Sequence, residues 1–462
     1  MMLAAGLLAA AAVFLTARRW EIRGCPERFV ALVVVFLLAE CLLYPAQAQA
    51  PTGPFRIPLL GGSVRTQDAL VAIGVFARLT SRPLPPRVSG TGVLWFAAFV
   101  WLLTATARGV LAGHPTNLVL FSAMSLAGLF GGRLLVAGCD PYRLATMLQG
   151  WWLLPLSVIL LVLFPLTASD GDNPGYLGTD LGTIHVDTAS VFVALGTCVL
   201  LVKWSGRQGP NWLAWAPLAL LITPFAIEQR ATLVHLGATV LVIGWAMTRP
   251  QWRSNIRLPR AHLLWASLVV VAALMVLVIV QLSQPKGTMP FSDYYQDTFF
   301  STGQQLSAAA RTEAYDFALD EWARAPVYGH GLGHSYEIIP PGEFEVRTLG
   351  TFDNVPLDLL VRSGAVGLVL FGLAYVSTIR NGFAVWRGDR RRTIAALALA
   401  AAATLVGLAA KSMFESILEK GKLALLIGLC AGVVAATRSS EVRPGKQPEF
   451  APPDDARQSV WT

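Results

Sequence analysis

The chain has 462 residues, 54% of them hydrophobic and only 14% charged, with a formal net charge of +8 and a mean hydropathy of +0.55. A soluble protein cannot cover that much apolar surface, and backbone groups in hydrocarbon must be satisfied internally, so the long apolar runs are helices and the chain reads as an all-α polytopic membrane protein. The basic excess is expected in cytoplasmic loops rather than on a nucleic-acid surface, and cysteines confined to apolar runs or predicted cytoplasmic turns imply neither a disulfide framework nor a thiolate metal site.

Runs long enough to cross about 30 Å of hydrocarbon lie near 1–17, 29–44, 57–79, 91–107, 115–132, 144–167, 187–202, 212–227, 231–248, 261–282, 356–379, 394–410 and 422–437. They predict about 12–13 transmembrane helices. The chain divides into N-terminal helices (1–282), a large, partly helical loop (283–355), C-terminal helices (356–437) and a disordered tail (438–462). The run 29–44 followed by Ala46-Gln47-Ala48 resembles a signal peptide with its cleavage site, but is read as a second membrane helix with a small-residue loop.

Alternate loops are rich in arginine, as at Arg18, Arg19, Arg23 and Arg28, at Arg249, Arg253, Arg257 and Arg260, and at Arg387, Arg390, Arg391 and Arg392. The other set is sparse, and 168–186 has no Lys or Arg at all. That alternation puts the basic loops and the C-terminus in the cytoplasm and the 283–355 loop outside.

Inside the large loop, Phe291, Tyr294, Tyr295, Phe299 and Phe300 suit the headgroup level. Helical spacing follows from Gly303 to Arg324, with Arg311, Tyr315, Ala318 and Trp322 on one face. Pro326 requires a stop before it. Gly329, Gly331 and Gly333 then alternate, which permits turn geometry and close approach of a ligand.

The candidate chemistry clusters here. Arg230 sits at an outer helix end, either pairing with Glu228 or gripping a phosphate with its guanidinium fork; Arg311 is either a solvated helix charge paired with Asp316 or Glu313, or a second phosphate grip. His330 and His334 invite a metal reading, but the intervening glycines break the helical register and no third ligand is evident. A general base or hydrogen-bond donor is preferred, with no metal assigned. Asp353 is either the N-cap of the helix led by Pro356 or the base that deprotonates an acceptor hydroxyl, with Arg362 holding it or binding an anion itself. Arg65 and Asp68 read as a local ion pair, and Lys411, Glu415, Glu419 and Lys420 as a solvated outer rim.

Taken together, these residues resemble a known family. Arg311, then Trp322, Pro326 and Gly329-x-Gly331-x-Gly333, then Asp353-Asn354, nine residues and Gly364-Ala-Val-Gly367, is similar to the O-antigen ligase and polymerase superfamily. Gln229-Arg230-Ala231 resembles that superfamily's outer arginine turn. The family's histidine is replaced by Asp353, which counts against a strict lipid A-core ligase and fits the polymerase branch more easily.

The resemblance implies a metal-independent glycosyltransferase of the bacterial inner membrane, multi-pass, with the large loop periplasmic. Its donor would be an undecaprenyl diphosphate-linked glycan, its acceptor a glycan or lipid, and a chain-length regulator an additional partner. With the family's histidine absent, the catalytic base is Asp353, His330 or His334, and the candidate substrate-binding residues are Arg230, Arg311, Gly329, Gly331, Gly333, Asn354 and Arg362. No nucleotide pattern is present, and no cofactor or nucleic-acid partner is expected. The alternatives are a ligase that moves finished glycan to another acceptor, a transporter or flippase, which the lack of half-to-half symmetry and of mid-membrane charge disfavours, and a purely structural membrane partner.

Overall fold

The computed structural model describes residues 2–42, 56–59, 62–81, 90–148, 156, 189–206, 221, 230–249, 314–338, 347–349, 352, 354–388, 391–418 and 421–441. The fold is that of a polytopic all-α membrane protein. In order it runs α1 (Met2–Ile22), α2 (Glu27–Leu42), β1 (Arg56–Leu59), β2 (Gly62–Arg65), α3 (Thr66–Ser81), α4 (Gly90–Leu111), α5 (Thr116–Ala137), α6 (Pro141–Leu148), α7 (Ala189–Gly206), α8 (Arg230–Met247), β3 (Tyr336–Ile338), β4 (Arg347–Leu349), α9 (Val355–Gly388), α10 (Arg392–Ser412) and α11 (Gly421–Glu441). A further helical stretch covers 314–324.

Five of these helices (α4, α5, α9, α10 and α11) are long and apolar enough to span a membrane, and parts of α7 and α8 form shorter apolar helices. The expected span at 261–282, all of 212–227 but residue 221, and most of 144–167 lie outside the described residues, as do the aromatic segment 291–300 and the tail beyond 441.

The run at 57–79 is not one span. Its start forms an antiparallel hairpin that pairs Arg56 with Arg65 and Leu59 with Gly62, and the helix begins only at Thr66. Apolar content alone does not separate Ile57-Pro58-Leu59 from a helical segment, whereas Pro58 and the Gly61-Gly62 pair favour strand and turn.

Helices α10 and α11 are largely enclosed, while α4 shows Phe96, Val100 and Leu103 on its outer face. The centre of α10 is built from small side chains: Ala398, Ala400, Ala401, Ala402 and Ala403 are fully buried. In lipid, where apolar surface alone gives helices little reason to associate, such small residues let backbones approach closely enough for dispersion contacts. Polar cross-links register the neighbours, with Trp95 Nε1 donating to Thr378 Oγ1 at 2.8 Å and Tyr375 Oη to the Leu405 carbonyl at 2.6 Å.

The helix ends sort into two faces. At one, the starts of α3, α5, α9 and α11 meet the ends of α4 and α10. Arg65 reaches Ser125, Asn354 reaches Met413, and Leu332 lies on the end of α4. At the other, Arg78 binds the Leu135 carbonyl and Arg143 the Gly24 carbonyl. The first face gathers the ends expected outside from the arginine pattern.

Candidate functional site

The first face is organised by a break in α9. Asn354 caps the helix: its Oδ1 accepts the Leu357 N–H at 3.1 Å, and its carbonyl accepts the Asp358 N–H at 2.9 Å. The cap expected of Asp353 is therefore supplied one residue later. One short helical segment on, Gly364 adopts φ 70° and ψ −178°, a conformation closed to residues with a Cβ. A Cβ there would also fall on the Val327 carbonyl.

A break inside a membrane helix frees backbone groups that hydrocarbon cannot satisfy. The turn that follows the helical stretch 314–324 satisfies them. The Val361 carbonyl accepts the His330 N–H at 2.9 Å and the Arg362 carbonyl accepts the Gly331 N–H at 2.9 Å. The Ser363 carbonyl accepts Trp101 Nε1 at 2.8 Å, and the Ala365 N–H donates to the Pro326 carbonyl at 2.9 Å.

Gly329, Gly331 and Gly333 have φ values of 67°, 99° and 80°. The close approach they permit is to the protein's own helices. A Cβ on Gly331 would lie 2.5 Å from the Gly109 nitrogen, and the next residue, Leu332, donates its N–H to the Ala105 carbonyl at 3.0 Å. The N–H groups of residues 329–332 thus all donate to protein carbonyls, whereas the sequence predicts that the glycines let a ligand approach.

Arg362 is 3% exposed. Its Nε lies 3.3 Å from Asp358 Oδ1, and Nη1 donates to Ser122 Oγ at 3.2 Å. The two ionic side chains border a cavity of about 20 Å³ with Ser122, Leu126, Leu332 and Leu418, which is room for a water rather than a glycan.

Across the turn, the Glu321 carboxylate faces both histidines: Oε2 lies 3.6 Å from His330 Nε2 and 3.4 Å from His334 Nε2, while Oε1 pairs with Arg324. One ligand atom from each of Glu321, His330 and His334 falls within 4.8 Å of the others. Burial, then the nearby His330, pushes the His334 pKa down to about 4 although Glu321 opposes the shift, so the ring is neutral at pH 7. The third ligand that the sequence reading lacks is Glu321, which looks like an ordinary solvated acid next to Asp316 and Asp320.

Arg108 was also missed. Its guanidinium lies over Trp101 and Tyr328, which stack with centroids 5.6 Å apart, and donates to the Gly329 carbonyl at 3.3 Å. A single arginine in a turn expected outside, with no other Lys or Arg in it, is the signal that would have found it. Of the residues assigned from sequence, the structure brings together His330, His334, the three glycines, Asn354 and Arg362. Arg311 and Asp353 lie outside the described residues, as does the Arg230 side chain, whose backbone opens α8.

Residues 215–372 match the sequence pattern of a family described as O-Antigen ligase. The match supports the likeness to the O-antigen ligase and polymerase superfamily. The matched segment takes in Arg230, Arg311, the glycine turn, Asp353-Asn354 and the Gly364 break, and the stretch from Asn354 to Gly364 that carries the resemblance corresponds physically to a helix cap and the kink that ends the segment. Among curated proteins, none matches the chain.

Proposed function

We propose that this protein is a glycosyltransferase of the outer leaflet of the bacterial inner membrane, joining undecaprenyl diphosphate-linked repeat units into a longer surface glycan. The reading is carried by one observation: a single O-antigen ligase match runs from the outer arginine at position 230 through the braced kink at Gly364. In this scheme the large loop is periplasmic, and Arg230 and Arg311 grip the donor diphosphate. An acceptor hydroxyl oxygen attacks the anomeric carbon, and the bond from that carbon to the diphosphate oxygen breaks. The lipid diphosphate leaves with the electron pair, and the two guanidinium groups neutralise its growing charge without a metal. Asp353, adjoining the Asn354 cap, takes the hydroxyl proton. His330 and His334, turned toward Glu321, hold the turn.

The O-antigen ligase match also supports a second reading, transfer of finished glycan to a different acceptor. Purified full-length protein supplied with lipid-linked oligosaccharide separates the two. A ladder of lengths on the lipid supports polymerisation, and a single transfer to an added acceptor supports ligation. Unchanged turnover in the Arg230→Gln/Arg311→Gln variant would remove the diphosphate clamp.

A further inference from the structure

We propose that Glu321, His330 and His334 form a site for one divalent transition-metal ion of the zinc class, which clamps the glycine turn to the helical stretch 314–324. The three donors come from two segments already fixed by backbone bonds: Glu321 from the last turn of the helical stretch, and both histidines from the turn pinned to α4 and α9. Their spacing suits such an ion. Tetrahedral bonds of about 2.0–2.1 Å put neighbouring ligand atoms roughly 3.3–3.4 Å apart, and Glu321 Oε2 stands 3.4 Å from His334 Nε2 and 3.6 Å from His330 Nε2.

The surroundings point the same way. Glu321 is 7% exposed, and His334 Nε2 is buried with no hydrogen-bond partner among the described residues. A buried nitrogen without a hydrogen bond is costly, and a cation takes up its lone pair. Arg324 occupies Oε1 of the carboxylate and leaves Oε2 for the ion. His330 Nε2 also lies 2.8 Å from the Glu321 carbonyl oxygen, so in the ion-free chain it carries a proton and donates there. Binding takes the ring in its other neutral tautomer: the Nε2 proton is lost, Nδ1 gains one from solvent, and the Nε2 lone pair is freed for the ion. His114 adjoins the cluster, its ring centre 5.4 Å from that of His334 and its Nδ1 3.1 Å from the Leu332 carbonyl. Two imidazoles and one carboxylate select zinc, cobalt or copper over magnesium and calcium, which prefer all-oxygen shells. The ion holds the turn, and the transfer proposed above does not route through it.

The test uses full-length protein in detergent, freed of any histidine tag and stripped with chelator, then titrated with Co²⁺ and Zn²⁺. One ion per chain is expected, with the visible Co²⁺ bands of a four- or five-coordinate site, and Zn²⁺ raising the melting temperature. Glu321→Gln and His334→Gln should each weaken binding at least tenfold and abolish that rise. Cu²⁺-loaded wild-type protein, which needs no variant to fold, should show two nitrogen ligands by electron paramagnetic resonance. No binding at micromolar ion, fewer than two nitrogen ligands, or undiminished binding in a folded Glu321→Gln/His334→Gln double variant overturns the site. Glycan transfer without a clamp ion, or an ion without transfer, separates this inference from the proposed function.

Discussion

Two buried ion pairs stand at the same face of the bundle with the same spacing of four residues, and their surroundings differ. Lys411, fully buried, meets Glu415 at 2.9 Å and donates to Ser190 Oγ and Thr232 Oγ1 at 3.0 and 2.9 Å. Hydroxyls from α7 and α8 thus complete an ammonium shell inside the helix wall. Asp358 and Arg362 instead lie beneath the glycine turn, with the Phe352 N–H 3.3 Å from Asp358 Oδ1 and a water-sized cavity alongside. The first pair joins three helices. The second joins a helix to the loop that carries the candidate chemistry.

Breaking the two pairs should therefore have unequal results. Lys411→Met leaves a buried carboxylate without its cation and should cost about 3–5 kcal/mol, read by reversible unfolding in detergent, whereas Lys411→Met/Glu415→Leu should recover most of that loss. Next comes Gly364→Ala, which forces a Cβ into a left-handed conformation and onto the Val327 carbonyl, at about 3 kcal/mol. Faster proteolysis within 314–334 than in the parent would report the loosened turn. Arg362→Met should cost less, about 2 kcal/mol, because Asp358 retains an N–H donor and the cavity admits water. Its mark should be on activity: transfer per folded molecule falls at least tenfold, while the Lys411→Met/Glu415→Leu protein keeps wild-type turnover. Equal turnover in the two would erase the distinction drawn between the pairs. The smallest effect belongs to the cap, where Asn354→Ala should cost about 1 kcal/mol and Asn354→Asp close to nothing.

Much of this architecture can be read from the chain alone. Helix positions follow from apolar length, the helical stretch stops before Pro326 as expected, and Arg65 pairs with Asp68 at 2.8 Å. What escaped depends on partners remote in sequence. Lys411 reads as a rim charge because nothing near it reveals Ser190 and Thr232, whose hydroxyls make burial tolerable. Glu321 reads as a solvated acid because His330 and His334 meet it only after the chain folds back at Pro326. The glycine turn was placed correctly, yet its purpose depends on a break in a helix some thirty residues later, where only Gly364 marks the spot.

That break has a mechanical consequence. Lifting the turn would leave the carbonyls of Val361 and Arg362 and the N–H of Ala365 unsatisfied at the mouth of a membrane helix, so loop and kink move as one rigid block.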